Sequence, residues 1–299
     1  MQHALLVVNP QSRSGQAEGL DEAIEILKNA GIAVELYVSE SSAQTVAKIA
    51  EYRHPNSLVI IAGGDGTISS ALEAVYTHRH RLAILPMGTA NDLARSLGLP
   101  QTLREAAHAI VVGKCERINL ARVNDAYFVN VAHLGLGVDV THELTPQRKK
   151  FFGVFAYVAA FFSVVKRNKS FKVHIKTDDW EATVRAIHLA IGNGRYYGGG
   201  NIVDENATLI DGKLNLFFIK PQHWSRLLLL GRHLRTGDLK SADRVVCKTS
   251  TRISIGTSKP IPLAADGEVK TATPAEFEVI PRAIEVIAGD MSLSQPTKE

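Results

Sequence analysis

A chain of 299 residues is long for one domain and comfortable for two. Apolar residues make up 45% and charged residues 21%, which supports a substantial core and excludes a disordered chain. The net charge is only +4, with no dense Lys/Arg stripe, so nucleic acid is not the expected partner; ATP or an acidic membrane surface suits a mildly basic protein.

Short apolar runs at 4–8, 33–38, 57–62 and 82–85 read as strands. Between them Leu20, Ala23, Ile24 and Leu27 recur at helical spacing, as do Val46, Ala47, Ile49 and Ala50, and then Ile68, Ala71, Leu72 and Val75. Thr102 followed by Glu105 is a capping box that opens another helix. Strand–helix alternation predicts a parallel sheet covered on both faces, with ligands at the carboxyl ends of its strands. From about residue 117 the pattern changes, and the domain boundary is placed near residue 121. Runs at 117–123 and 126–132 flank Asn124-Asp125, and runs at 171–177 and 181–191 flank Asp178-Asp179. Further strand-like runs lie at 213–220, 244–249, 252–255, 275–280 and 284–288. The reading is an α/β domain over 1–121, an antiparallel β domain over 122–290 with helical insertions near 151–166 and 222–235, and a polar tail over 291–299.

The opening residues lack a basic leader, so no signal peptide is expected. The longest apolar stretch, 151–165, is shorter than the roughly 18–20 residues that span a bilayer. Its flanks, Arg148-Lys149-Lys150 and Lys166-Arg167, suit a helix lying on an anionic membrane surface, although a core helix explains it equally well. Cys115 and Cys247 lack metal-type spacing and read as reduced thiols of a cytoplasmic protein. The sequence allows a homodimer without arguing for one. The eleven histidines form no ligand pair, and a lone histidine is more often structural than catalytic.

Three segments carry chemistry. Gly63-Gly64-Asp65-Gly66-Thr67 follows a strand and precedes a helix. Its glycines let the backbone approach phosphate oxygens, and the helix offers free N–H groups and a positive dipole end. Asp65 would repel a phosphate, so it fits better as an organiser of water around Mg²⁺ or as an acceptor for a ligand hydroxyl. Pro86-Met87-Gly88-Thr89-Ala90-Asn91-Asp92-Leu93-Ala94-Arg95 again joins strand to helix, with three polar side chains in its first turn; simple N-capping is the plainer alternative. Asn9-Pro10-Gln11-Ser12-Arg13-Ser14-Gly15 ends the first strand and suits phosphate contact weakly. No Walker loop, HExxH, GxSxG or CxxC occurs.

In order and spacing these segments resemble the diacylglycerol kinase catalytic family, which includes bacterial lipid kinases and sphingosine kinases. The resemblance continues through Gly192-Asn193-Gly194, Ala207-Thr208-Leu209-Ile210-Asp211-Gly212-Lys213-Leu214 and Ala265-Asp266-Gly267-Glu268. GGDGT alone is shared with NAD kinases; the GTANDLAR loop and the late DGE are more specific. Ser69-Ser70 stands where the family commonly has Asn-Glu, and Glu205-Asn206 where a proline is common.

The resemblance implies a nucleotide-binding α/β domain and a β-sandwich-like second domain that together transfer the γ-phosphoryl of ATP to a lipid hydroxyl. It assigns Asn9, Pro10, Ser12, Arg13, Ser14, Gly15, Ser39, Gly63, Gly64, Asp65, Gly66, Thr67, Thr89 and Asn91 to the nucleotide. Asp65 and Asp92 would organise Mg²⁺. Asp266, with Glu268 close behind, would be the general base. Asp211, with carbonyls around Thr208 and Lys213, resembles a second, structural metal site. Competing readings are a kinase of a soluble hydroxyl compound such as NAD, and a nucleotide-binding regulator without catalysis.

Overall fold

A computed structural model of the chain describes residues 2–10, 19–54, 57–135, 170–197, 201–202, 204, 207–223, 233 and 239–290. The first half alternates β1 (Gln2–Val8), α1 (Leu20–Asn29), β2 (Ile32–Val38), α2 (Ser42–Glu51), β3 (Leu58–Gly63), α3 (Asp65–Thr77) and β4 (Arg81–Pro86), followed by α4 (Asp92–Ser96) and α5 (Leu103–Val112). The four strands are parallel, in the order β2-β1-β3-β4. Because successive side chains on a strand point to opposite faces, each strand feeds two cores. Leu5, Val7, Val59 and Ile61 pack with Ile49, Ile68, Leu72 and Val75 of α2 and α3. Leu6, Val8, Leu58 and Ile60 pack with Leu27 of α1 and Leu103, Ala107 and Ile110 of α5. That two-sided burial explains why these strands read as unbroken apolar runs. Ser41 caps α2, accepting from the Gln44 N–H at 3.3 Å, and Thr102 caps α5, accepting from the Glu105 N–H at 3.4 Å.

The remaining strands are β5 (Lys114–Val123), β6 (Ala126–Phe128), β7 (Val131–Gly135), β8 (Phe171–Lys176), β9 (Glu181–Ala186), β10 (His188–Gly192), β11 (Tyr196–Tyr197), β12 (Asn201–Ile202), β13 (Leu214–Ile219), β14 (Val245–Ser250), β15 (Arg252–Thr257), β16 (Pro262–Ala265), β17 (Glu268–Ala272) and β18 (Ala275–Ala288). An antiparallel sheet in the order β14-β13-β10-β7-β16-β17 stacks against β15, β8 and the first part of β18. Leu134, Leu189, Leu216 and Phe218 from one sheet meet Val173, Ile175, Ile253 and Phe277 from the other, a β-sandwich core.

Two predicted runs break where the chain changes sheets. The run at 126–132 splits after β6 because the N–H groups of Val129, Asn130 and Val131 bond to the Asp266 carboxylate. The run at 181–191 splits at Ile187, whose N–H bonds to the Ile219 carbonyl and carries the chain from β9 into β10. Conversely, the runs at 275–280 and 284–288 join into β18, across a register shift at Ile280–Ile284 with Arg282 left-handed at φ 51°. Strand β18 lies between β4 and β15, parallel to the first at Val286–Leu82 and antiparallel to the second. It ties the parallel sheet to the sandwich. The predicted insertions at 151–166 and 222–235 fall largely outside the described residues. Among the described residues, no helix is long and apolar enough to cross a membrane. Cys115 is exposed and Cys247 half-buried, and no disulfide joins them. His133 and His188 are buried, and burial pushes them down to about 4 and about 3. Both are neutral at physiological pH.

Candidate active site

The strand order reverses direction between β1 and β3, the switch point where open α/β sheets leave a crevice. The Asn9 side chain at the end of β1 donates to the Thr67 hydroxyl beyond β3 at 3.0 Å, closing the crevice floor. The cleft above it holds about 440 Å³; Asn9, Ser39, Gly64, Gly66, Thr67, Gly88, Thr89 and Glu268 line it. Helix α3 begins in this cleft, so its positive end faces inward.

The two glycine-rich loops touch backbone to backbone. A methyl group on Gly88 would lie 2.6 Å from the Gly64 Cα and 2.7 Å from the Asn91 Oδ1. Asn91, left-handed at φ 50°, folds its amide back on the loop: Oδ1 accepts from the Gly88 N–H at 2.8 Å, and Nδ2 donates to the Gly88 carbonyl at 3.1 Å and Gln101 at 3.2 Å. Its side chain therefore shapes the Gly88 loop. The Asp65 Oδ1 accepts from the Leu93 N–H at 3.2 Å and so caps α4 from across the crevice. Asp92, the first residue of α4, is buried. Ser39 is buried too; its hydroxyl donates to the Ser41 carbonyl at 2.8 Å and accepts from Thr45 at 2.7 Å. Thr89 is exposed on the rim, and Pro10 is exposed just past β1. Ser12, Arg13, Ser14 and Gly15 lie outside the described residues.

Asp266 comes from the other domain. It follows β16 in a tight turn, left-handed at φ 46°, with Gly267 at φ 88°. Its Oδ1 accepts from the N–H groups of Asn130 at 3.0 Å and Val131 at 3.1 Å, and its Oδ2 from Val129 at 2.9 Å. Burial raises the pKa of this carboxyl to about 6; the three N–H groups pull it down, and the charge of Asp65 adds to the rise. A carboxyl poised there exchanges protons near neutral pH. Among the described residues, Oδ1 accepts two backbone bonds and Oδ2 one, which leaves Oδ2 a lone pair for another donor. Glu268 is exposed on the cleft rim and ion-paired to Lys270.

Asp211 stands apart from this cleft. Its Oδ2 accepts from the Thr208 N–H at 3.2 Å and its Oδ1 from the Lys213 N–H at 2.9 Å, around Gly212 at φ 70°. Desolvation within the turn raises its carboxyl pKa, against the pull of those two bonds. The turn carries Leu209 into the core beneath α4, and the Leu209 carbonyl accepts from the Asn119 N–H at 2.7 Å. Asp211→Ala is expected to cost about 1–3 kcal/mol in denaturant unfolding, from two lost charge-assisted bonds.

Sequence reading missed Ser41, Ser42, Thr45, Met87 and Ser70, which also line the cleft. Ser41 and Gln44 form a visible capping pattern at the start of α2, a signal that its first turn faces the same crevice. Ser70, in the departure from the family pattern, donates to the Thr67 carbonyl at 2.9 Å.

Known proteins resemble the chain throughout its length. Residues 3–123 match the family model for the diacylglycerol kinase catalytic domain, and residues 132–288 that for the YegS C-terminal NAD kinase beta sandwich-like domain. Proteins named diacylglycerol kinase from Staphylococcus aureus strains RF122 and MRSA252 are each 26% identical over 289 residues, covering 95% of this chain and 92% of theirs. A crystal structure from Bacillus anthracis, described as a diacylglycerol kinase, superposes with a TM-score of 0.83 at 25% identity, covering 96% of this chain and 95% of that one. A second from the same organism gives 0.75 at 21% identity, which supports the fold. Two domain models in sequence, relatives matched nearly end to end and the two-domain fold agree: the chain belongs to the diacylglycerol kinase catalytic-domain family and is a kinase acting on a hydroxyl group.

Proposed function

We propose that the protein transfers the γ-phosphoryl of ATP to a hydroxyl of a diacylglycerol-like lipid, in the crevice between residues 1–121, which hold the nucleotide, and 122–290, which present the lipid. The observation that carries this reading is Asp266: a sandwich-domain carboxyl, raised to about 6, within the field of Asp65 on the nucleotide side. Phosphoryl transfer requires placement and charge neutralisation more than covalent help from the protein.

The cleft fits a triphosphate. Gly64 and Gly88 leave no side chain between the loops, and a methyl on Gly66 would meet nothing within 4 Å. Hydroxyls of Thr67, Ser70 and Thr89 and the amide of Asn9 supply neutral polar partners. The Asp266 carboxyl lies within the field of Asp65, which raises its pKa; a cation bound beside the two would relieve that repulsion. Bound there, Mg²⁺ would neutralise charge on the transferring phosphoryl. Asp65 and Asp92 are proposed to organise it, Asp65 from the position fixed by its bond to the Leu93 N–H. Among the described residues no three His, Cys, Asp or Glu form a metal cage, and Mg²⁺ usually asks for only one or two carboxylates. Asp266 takes the proton of the acceptor hydroxyl at Oδ2 as the oxygen attacks. Asp211 is proposed to hold a second cation with the carbonyls of Thr208 and Lys213; millimolar Mg²⁺ should then raise the wild-type melting temperature but not that of Asp211→Ala.

The test is label transfer from γ-³²P-ATP to diacylglycerol, monoacylglycerol, sphingosine and phosphatidylglycerol in mixed micelles, with NAD alongside. Label in a lipid is expected. Label in NAD alone, or ATP binding with no transfer, would overturn the reading. The basic-flanked segment 151–165 is proposed to contact the anionic membrane that supplies the lipid; sedimentation with anionic vesicles checks it.

A further inference from the structure

We infer that Asn193 is a positioning residue for Asp266, acting through the two peptide groups that both residues grip. Asn193 follows β10 and is fully buried. Its Nδ2 donates to the carbonyls of Val129 and Asn119, each at 3.1 Å. Its own N–H donates to the Asn130 carbonyl at 2.9 Å. The Val129 carbonyl and the Asn130 N–H belong to one peptide group; the Asn130 carbonyl and the Val131 N–H belong to the next. Those two N–H groups are the pair that the Asp266 Oδ1 accepts. Asn193 thus holds the oxygen ends of two peptides whose nitrogen ends hold the carboxylate.

Two consequences follow from elementary hydrogen bonding. A peptide fixed at both ends cannot rotate without breaking both bonds, so the carboxylate cannot drift while Asn193 is in place. A hydrogen bond at the carbonyl also polarises the same group's N–H and strengthens its bond to Asp266. The third bond of Asn193, to Asn119 in β5, refers this corner to the strand that pairs with β18 and to the Leu209 turn. The Asn193 Oδ1 is buried without a hydrogen-bond partner among the described residues. A shorter apolar residue would avoid that unmet acceptor, so the amide's two donor bonds are what the position requires. Neighbouring Gly194 leaves room for Leu209, whose Cδ2 would lie 2.8 Å from an added methyl.

The inference rests on the reading of Asp266 as the base, and the experiment separates the two. Asn193→Ala, Asp266→Asn and the double variant are compared for transfer to dioleoylglycerol in mixed micelles, with amide hydrogen exchange read at Val129, Asn130 and Val131. Asn193→Ala is expected to lower kcat roughly 10–100-fold with the KM for ATP within about twofold, a loss in the range expected of a misplaced catalytic group. In the Asp266→Asn background the same change should lower kcat less than threefold, because effects on one catalytic unit do not add. Exchange at Asn130, whose peptide loses the Nδ2 bond at the Val129 carbonyl, should quicken at least tenfold beyond that of the surrounding β7 amides; Val131, whose peptide keeps the bond from the residue-193 main-chain N–H, should change less. Asn119→Ala is the control; it disturbs the same buried junction but spares the Asn193 bonds, all of which end on backbone, and should keep kcat within about threefold. If Asn193→Ala does not fold, Asn193→Ser, which retains one donor, is read by the same criteria. Unchanged exchange at Asn130, or a kcat loss that multiplies fully with that of Asp266→Asn, overturns the inference. An Asp266→Asn variant with full turnover overturns the base assignment instead, and the exchange result then decides the clamp by itself.

Discussion

Asp266→Asn is expected to lower kcat about 10³-fold, within the roughly 10²–10⁴ range that a positioned base supplies. The variant should fold. Asparagine tolerates the left-handed backbone at φ 46°, and its amide oxygen can keep the bonds from Asn130 and Val131. What it loses is the Oδ2 acceptor, where an NH₂ group would face the Val129 N–H at 2.9 Å. In wild type the acid limb of kcat/KM should fall as pH drops through about 6, where Asp266 takes up its proton. Stability should run the other way. The folded-state pKa is raised from 3.8 to about 6, so the folded protein binds the proton more tightly than the unfolded chain. The Asp266 contribution therefore favours folding most below pH 3.8, declines as pH rises between 3.8 and about 6, and is level above. Asp266→Asn should flatten that part of the stability–pH curve, which denaturant titrations across the window will show.

Gly88→Ala is expected to raise the KM for ATP at least tenfold and to destabilise by about 1–3 kcal/mol, the usual range for overpacking. The reason is contact with backbone. The added methyl would sit 2.6 Å from the Gly64 Cα, and neither loop can yield without moving the helix that follows it. Gly66→Ala offers the contrast. It sits in the first turn of α3, where a methyl meets nothing within 4 Å, so stability should rise slightly while ATP binding weakens because Gly66 lines the cleft. Melting temperature and ATP KM, measured for both variants, should separate in those directions.

The parallel sheet was legible because its strands are buried on both faces, which leaves apolar runs such as Leu58–Gly63 that end at glycine. The two glycine loops were legible by composition, and their meeting at one crevice follows from strand order. Their mutual packing was not legible, since it depends on a Gly64–Gly88 approach between residues far apart in sequence. Nor was the role of Asn91: a polar residue at a helix start reads as a cap or a ligand contact, yet its amide closes on Gly88 and Gln101. The sandwich was harder still. Runs 126–132 and 181–191 cross between sheets while apolar side chains on both sides of each crossing enter the same core, Phe128 and Ala132 at the first, Ala186 and Leu189 at the second. The break at Val129–Val131 exists only because Asp266, more than 130 residues later, takes up the N–H groups. Asn193 was visible as part of a glycine-flanked motif, but its partners are backbone carbonyls, which no side-chain pattern announces.

The proposed transfer needs one cleft, formed by the first domain, and one carboxylate, supplied by the second. Its most direct test is the fate of the γ-phosphoryl in a single experiment with wild type and Asp266→Asn at saturating γ-³²P-ATP and Mg²⁺, with the lipid product extracted and its mass determined. Wild type is expected to yield a labelled lipid one phosphate heavier, and the variant, still binding ATP as wild type does, about a thousandth of that rate. Label that remains in the aqueous phase with every lipid, or equal lipid labelling by both proteins, would contradict it.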